Sequence, residues 1–62
     1  MPVITLEVSK LTKEQKERLA KELTESASRI MGVPEQAFYV YMKEHELDNI
    51  AVGGQLLSER RK

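Results

Sequence analysis

Proline at position 2 is the residue of this chain best placed to do chemistry. With Met1 removed, the Pro2 nitrogen is a secondary amine at the amino terminus. An α-amino group titrates at about 7.7–8.0 before any burial, so this nitrogen can accept and return a proton near neutral pH. The pyrrolidine ring fixes φ, so the following segment aims the nitrogen rigidly. With Met1 retained, the same nitrogen is a tertiary amide without useful basicity. Methionine followed by a small residue is the usual substrate for co-translational removal, and a free Pro2 is the expectation. Proline also commonly opens an edge strand, so the chemical reading gains weight only from its surroundings.

The other candidate groups are few. Tyr39 and Tyr41 carry phenols that can donate to a developing oxyanion, although tyrosine also suits half-buried interfaces. Lys10 offers a cation, and its bland reading is a plain surface lysine unless a neighbouring subunit encloses it. Ile50, Val52 and Leu57 offer apolar walls. His45 lies within Glu44-His45-Glu46, which lacks the HExxH spacing; it is expected to be an exposed loop histidine and is assigned to no metal. Gly53-Gly54 is turn chemistry, because no phosphate-binding glycine loop surrounds it.

Composition narrows the setting. Sixty-two residues make one domain, 1–62, and a chain this short buries only about 60% of its unfolded surface. No cysteine is present, which excludes disulfides and thiolate metal sites, and one histidine cannot build a zinc site without several carboxylates. Ten basic and ten acidic residues cancel, which argues against a general binder of nucleic acid or anionic membrane. No apolar run approaches the roughly 20 residues of a spanning helix. Nothing resembles a signal peptide, and a cytoplasmic location is the expectation.

Three elements must position these groups. Pro2 to Val8 alternates, with Ile4, Leu6 and Val8 on one face and Val3, Thr5 and Glu7 on the other, which predicts a strand. Thr12 caps a helix, with Gln15 completing a capping box. Leu19, Ala20, Leu23, Ala27, Ile30 and Met31 form its apolar stripe. Its other face offers Glu14–Arg18, Glu17–Lys21, Arg18–Glu22, Lys21–Glu25 and Glu25–Arg29 at i,i+4, each worth about 0.2–0.5 kcal/mol. Gly32 ends the helix and Pro34 stops it resuming. Ala37 to Lys43 predicts a second strand, with Phe38, Val40 and Met42 opposite in sense to Tyr39, Tyr41 and Lys43. The helical crossover makes the strands parallel and the connection right-handed. Glu44 to Asn49 reads as a polar loop, Ile50 to Leu57 as a hairpin or arm around Gly53-Gly54, and Ser58 to Lys62 as a charged tail.

One helix covers one face of a two-stranded sheet, and two strands alone are not independently stable. Val3, Tyr39, Tyr41 and the apolar arm therefore predict several copies sharing sheets in a closed homo-oligomer, with any active site built from more than one subunit.

Pro2 at the start of a strand, a βαβ unit of this length and a Gly-Gly arm occur here together. The segments Met-Pro-Val-Ile, Leu-Thr-Lys-Glu-Gln-Lys and Ala-Val-Gly-Gly-Gln carry a resemblance, over essentially the whole chain, to the 4-oxalocrotonate tautomerase family. The resemblance implies an α/β fold and a hexamer built as a trimer of dimers. It further implies a cofactor-independent isomerase acting on enol or dienol acids such as 2-hydroxymuconate. In that family the amino-terminal proline is the general base, and Pro2 matches it. The family's carboxylate-binding arginine after the first strand is matched by Lys10, with one residue deleted nearby. Its second arginine, which polarises substrate, is matched by Tyr39, and its pocket aromatic by Ile50. Lys10 supplies charge without the planar two-point grip of a guanidinium, and Tyr39 a hydrogen bond without charge. Arg18, Arg29, Arg60 and Arg61 are further cations that an interface can bring to the site.

Two rival functions remain open at this level. One is a hydrolytic dehalogenase of small unsaturated acids on the same scaffold, which needs a water-activating carboxylate and a protonated proline. The other is a non-enzymatic oligomeric binding protein, which a retained Met1 favours.

Overall fold

Alternation at the start of the chain builds the first strand. β1, Val3–Val8, turns Ile4, Leu6 and Val8 to one side, where they are half-buried, and exposes Val3, Thr5 and Glu7 on the other. The structure, a computed structural model, describes residues 1–60. Arg61, one of the arginines with which the sequence can supply interface charge, and Lys62 lie outside the described residues.

α1, Lys13–Met31, begins as the residues dictate. Thr12 Oγ1 accepts the Gln15 N–H at 3.1 Å, and Gln15 Oε1 accepts the Thr12 N–H at 2.9 Å. Two otherwise orphaned donors are thus satisfied reciprocally. The helix ends where Gly32 adopts φ +70°, its N–H donating to the Ser28 carbonyl at 2.9 Å. β2, Tyr39–Glu44, then pairs parallel to β1 in a register running from Val3 opposite Tyr39 to Val8 opposite Glu44. The expected α/β architecture, a βαβ unit with one crossover helix and a short hairpin, is what forms.

Several local expectations are corrected. Ile30 and Met31 share the angular stripe of Leu19, Leu23 and Ala27, yet they are 78% and 54% exposed. The reason is length. Nineteen helical residues at about 1.5 Å span some 28 Å, whereas six strand residues at about 3.3 Å span some 20 Å. The last turn of α1 therefore overhangs the end of the sheet where Pro2 sits. Of the five i,i+4 ion pairs, Arg18–Glu22 closes, at 2.8 Å, while Lys16 reaches across to Glu44 at 3.2 Å.

β2 begins later than the apolar pattern suggests. Glu35–Ala37 forms a 3₁₀ turn after Pro34, with the Ala37 and Phe38 amides spent on Pro34 and Glu35 carbonyls. At the other end Glu44 belongs to the strand, and Leu47–Asn49 is a 3₁₀ turn rather than open loop. The arm is a hairpin of β3, Ala51–Val52, and β4, Gln55–Leu56. Gly53 and Gly54 have φ +62° and +85°, the two left-handed positions a type I′ turn requires. The charged tail begins as a short helix, α2, Leu57–Arg60.

The result is thin, measuring 44 × 24 × 14 Å with a radius of gyration of 15.1 Å. A compact chain of this length has a radius of about 11 Å. No described residue is fully buried, and Val3, Tyr39, Tyr41, Val52 and Leu56 are among the exposed apolar side chains.

Candidate active site

Pro2 stands immediately before β1 and is tied to β2, since its carbonyl accepts the Tyr39 N–H at 3.0 Å. This bond places Pro2 and Tyr39 side by side at one end of the sheet. Val3, Tyr39 and Tyr41 share the outer face there, with the two tyrosines about half exposed. Met1 is 79% exposed, so it fills no part of the fold. Beyond the same end lie the overhanging Ile30 and Met31. The chemistry within reach is a terminal amine, once freed, beside a phenol on an apolar surface.

Lys10 and Ile50 occupy the other end. Lys10 follows β1 and lines an open cleft with Ser9, His45, Glu46, Asp48 and Ser58. Ile50 lines an adjoining depression with Val8, His45 and Leu57, and its carbonyl accepts the Leu57 N–H at 2.8 Å. The six residues of β1, about 20 Å at 3.3 Å each, separate this end from Pro2. The structure thus brings Pro2 to Tyr39 and Lys10 towards Ile50, and holds the two pairs apart within one chain. Glu46 and Asp48 share the Lys10 cleft, so the ammonium acts at short range rather than as part of a broad positive field.

Two polar constellations escaped the sequence reading. His45 is half-buried rather than a free loop residue, with Nε2 at 2.8 Å from Glu7 Oε1 on the outer sheet face. Its N–H donates to the Val8 carbonyl at 2.7 Å, extending the ladder by one bond. Glu44 Oε2 accepts the Leu11 N–H at 2.9 Å and pairs with Lys16 Nζ at 3.2 Å. The Leu11 N–H, then Lys16, and least of all Lys10, hold the Glu44 carboxyl below its ordinary 4.5. Setting the two strands in parallel register would have found both, because register alone puts Glu44 beside Val8 and Glu7 beside Lys43. Among the described residues no three metal-ligating side chains converge, and no helix is long and apolar enough to cross a membrane.

The chain matches the model of a family described as tautomerase enzyme over residues 2–60. It is 36% identical over 61 residues to a probable tautomerase of Bacillus cereus, an alignment covering 97% of this chain and all of that relative. Its fold is similar to that of YwhB, a homologue of 4-oxalocrotonate tautomerase. That match has a TM-score of 0.87 and 32% identity, and covers 94% of this chain and 97% of the other. A second crystallised 4-oxalocrotonate tautomerase homologue matches with a TM-score of 0.89 and 33% identity over 100% of both chains.

Proposed function

The chain belongs to the tautomerase family, and from that premise we propose that it interconverts enol and keto forms of a small unsaturated acid such as 2-hydroxymuconate, without a cofactor. The observation that carries the proposal is the anchoring of Pro2 beside Tyr39 at an open end of the sheet. In the reaction the neutral Pro2 amine takes the proton of the enol hydroxyl. The O–H electrons form the ketone, the double bond shifts along the chain, and the ammonium returns the proton to carbon. No atom is gained or lost. Tyr39 donates a hydrogen bond to the oxygen as charge develops on it. Lys10 holds a substrate carboxylate, and Ile50 walls the pocket. Low polarity there, with a nearby cation, disfavours the ammonium and keeps Pro2 in its neutral, proton-accepting form at neutral pH.

Because Lys10 and Ile50 lie about 20 Å from Pro2 along β1, one substrate meets all of them only if neighbouring subunits contribute. The absence of a fully buried residue among those described supports association on independent grounds. The assembly is a homo-oligomer, a hexamer formed as a trimer of dimers, working in the cytoplasm.

The test joins intact-mass measurement with kinetics. Protein starting at Pro2 should tautomerise 2-hydroxymuconate, while protein keeping Met1 should be inert. Equal turnover by the two forms would refute the mechanism. A Pro2 ammonium that stays protonated well above neutrality would redirect the reading towards hydrolytic dehalogenation.

A further inference from the structure

Resting on the reading of Lys10 as the carboxylate anchor, we infer that Glu44 sets the position of Lys10 by clamping the loop that carries it. Lys10 lies in a bridge of two residues, Ser9 and Lys10, between two fixed points. On one side the Val8 carbonyl accepts the His45 N–H at 2.7 Å, closing the β1–β2 ladder. On the other side the Leu11 N–H is held by Glu44 Oε2 at 2.9 Å, a contact spanning 33 positions of the sequence. Thr12 and Gln15 lock the next residue through the capping box. So short a bridge leaves the Lys10 backbone little freedom, and among the described residues the only tertiary side-chain bond holding its far end is that of Glu44. Lys16 Nζ, at 3.2 Å from the same oxygen, fixes the carboxylate from the helix side.

Glu44 can also act on Lys10 by charge alone, drawing the ammonium towards itself and away from substrate. The geometry around Glu44 decides between the two effects. Its Oε2 is 2.9 Å from the Leu11 nitrogen and 3.2 Å from Lys16 Nζ, and these two groups also lead in lowering the carboxyl pKa, with Lys10 last. Among the described residues Lys10 has no ion-pair partner within 4.0 Å, whereas Lys16 does. Glu44 thus spends its charge on the loop amide and the helix, and leaves the Lys10 ammonium available. It is a positioning residue that works through Lys10.

The experiment measures kcat and KM for 2-hydroxymuconate in the processed oligomer, with oligomeric state monitored by light scattering. Lys10→Ala is measured first, and raised KM is expected. Glu44→Ala should raise KM about fivefold, the scale of one lost hydrogen bond, with kcat little changed. Glu44→Gln keeps an oxygen to accept the Leu11 N–H without the charge, and should return KM towards the parent value. In Lys10→Ala protein, adding Glu44→Ala should raise KM no further. A raised KM in Lys10→Ala with an unchanged KM in Glu44→Ala overturns the clamp alone. So do effects that multiply in the double variant, or a Glu44→Gln protein as impaired as Glu44→Ala. An unchanged KM in Lys10→Ala refutes the anchor role of Lys10, and the clamp with it.

Discussion

At the scale of single residues the proposed chemistry turns on the state of one nitrogen. Pro2→Ala, processed to a primary amine, keeps a weaker and less rigidly held base. Its kcat/KM should fall about a hundredfold, the lower end of what general base catalysis contributes, as read by ketonisation kinetics. In the proposed mechanism the active form is the neutral amine, so kcat/KM should rise with pH through the Pro2 pKa; a profile without that limb refutes the role. Glu44 sets a second dependence, with a definite sign. Its folded pKa lies below 4.5 because of the Leu11 N–H and Lys16. Its stabilising contribution is therefore present above the ordinary glutamate range and disappears as pH falls through the lowered value. Thermal midpoints of the parent and Glu44→Gln, which keeps an acceptor oxygen without the charge, should differ at neutral pH and converge in acid below 4.5.

At the scale of elements, each turn of the chain answers to a small number of residues. Thr12→Ala removes the acceptor for the Gln15 N–H and breaks the capping box. It should cost about 1 kcal/mol, measurable by urea denaturation at fixed protein concentration. Gly53 and Gly54 hold φ +62° and +85°, where a Cβ costs roughly 1–2 kcal/mol per residue. Replacing both with alanine should loosen the arm that carries Ile50 and leave α1 intact. Faster hydrogen exchange at the Leu57 amide, which is bonded to the Ile50 carbonyl, would report this, with the α1 amides as the internal control.

At the scale of the whole molecule the single chain is thin, and the proposed assembly is what would cover its outer sheet face. A sheet one strand pair wide with a single helix layer measures 14 Å across and leaves Tyr39 and Tyr41 about half exposed. Stability and assembly should then be one transition, with a thermal midpoint that rises with protein concentration. Tyr41→Asp puts a charge on the outer sheet face and should weaken association about thirtyfold, as loss of a central aromatic contact does. Sedimentation should show smaller species, and circular dichroism should show helix lost with them. A folded monomer would contradict the coupling.

Much of this was readable in the residues themselves. The alternation in Val3–Val8, the Thr12–Gln15 box, the Gly32 stop and the paired glycines each encode a local geometry, because each depends on contacts within a few positions of the chain. The place of Pro2 at the start of β1 was legible for the same reason, and its proposed chemistry belongs to its own nitrogen. What the sequence could not express was distance between elements. The overhang that exposes Ile30 and Met31 follows from comparing helix and strand lengths in space. The Glu44 contact to Leu11 and the His45–Glu7 pair need the parallel register. The separation of Pro2 and Tyr39 from Lys10 and Ile50 needs the direction of β1. Local patterns are written by nearest neighbours along the chain, whereas the placement of one site residue against another is set by packing between segments that the chain order does not measure.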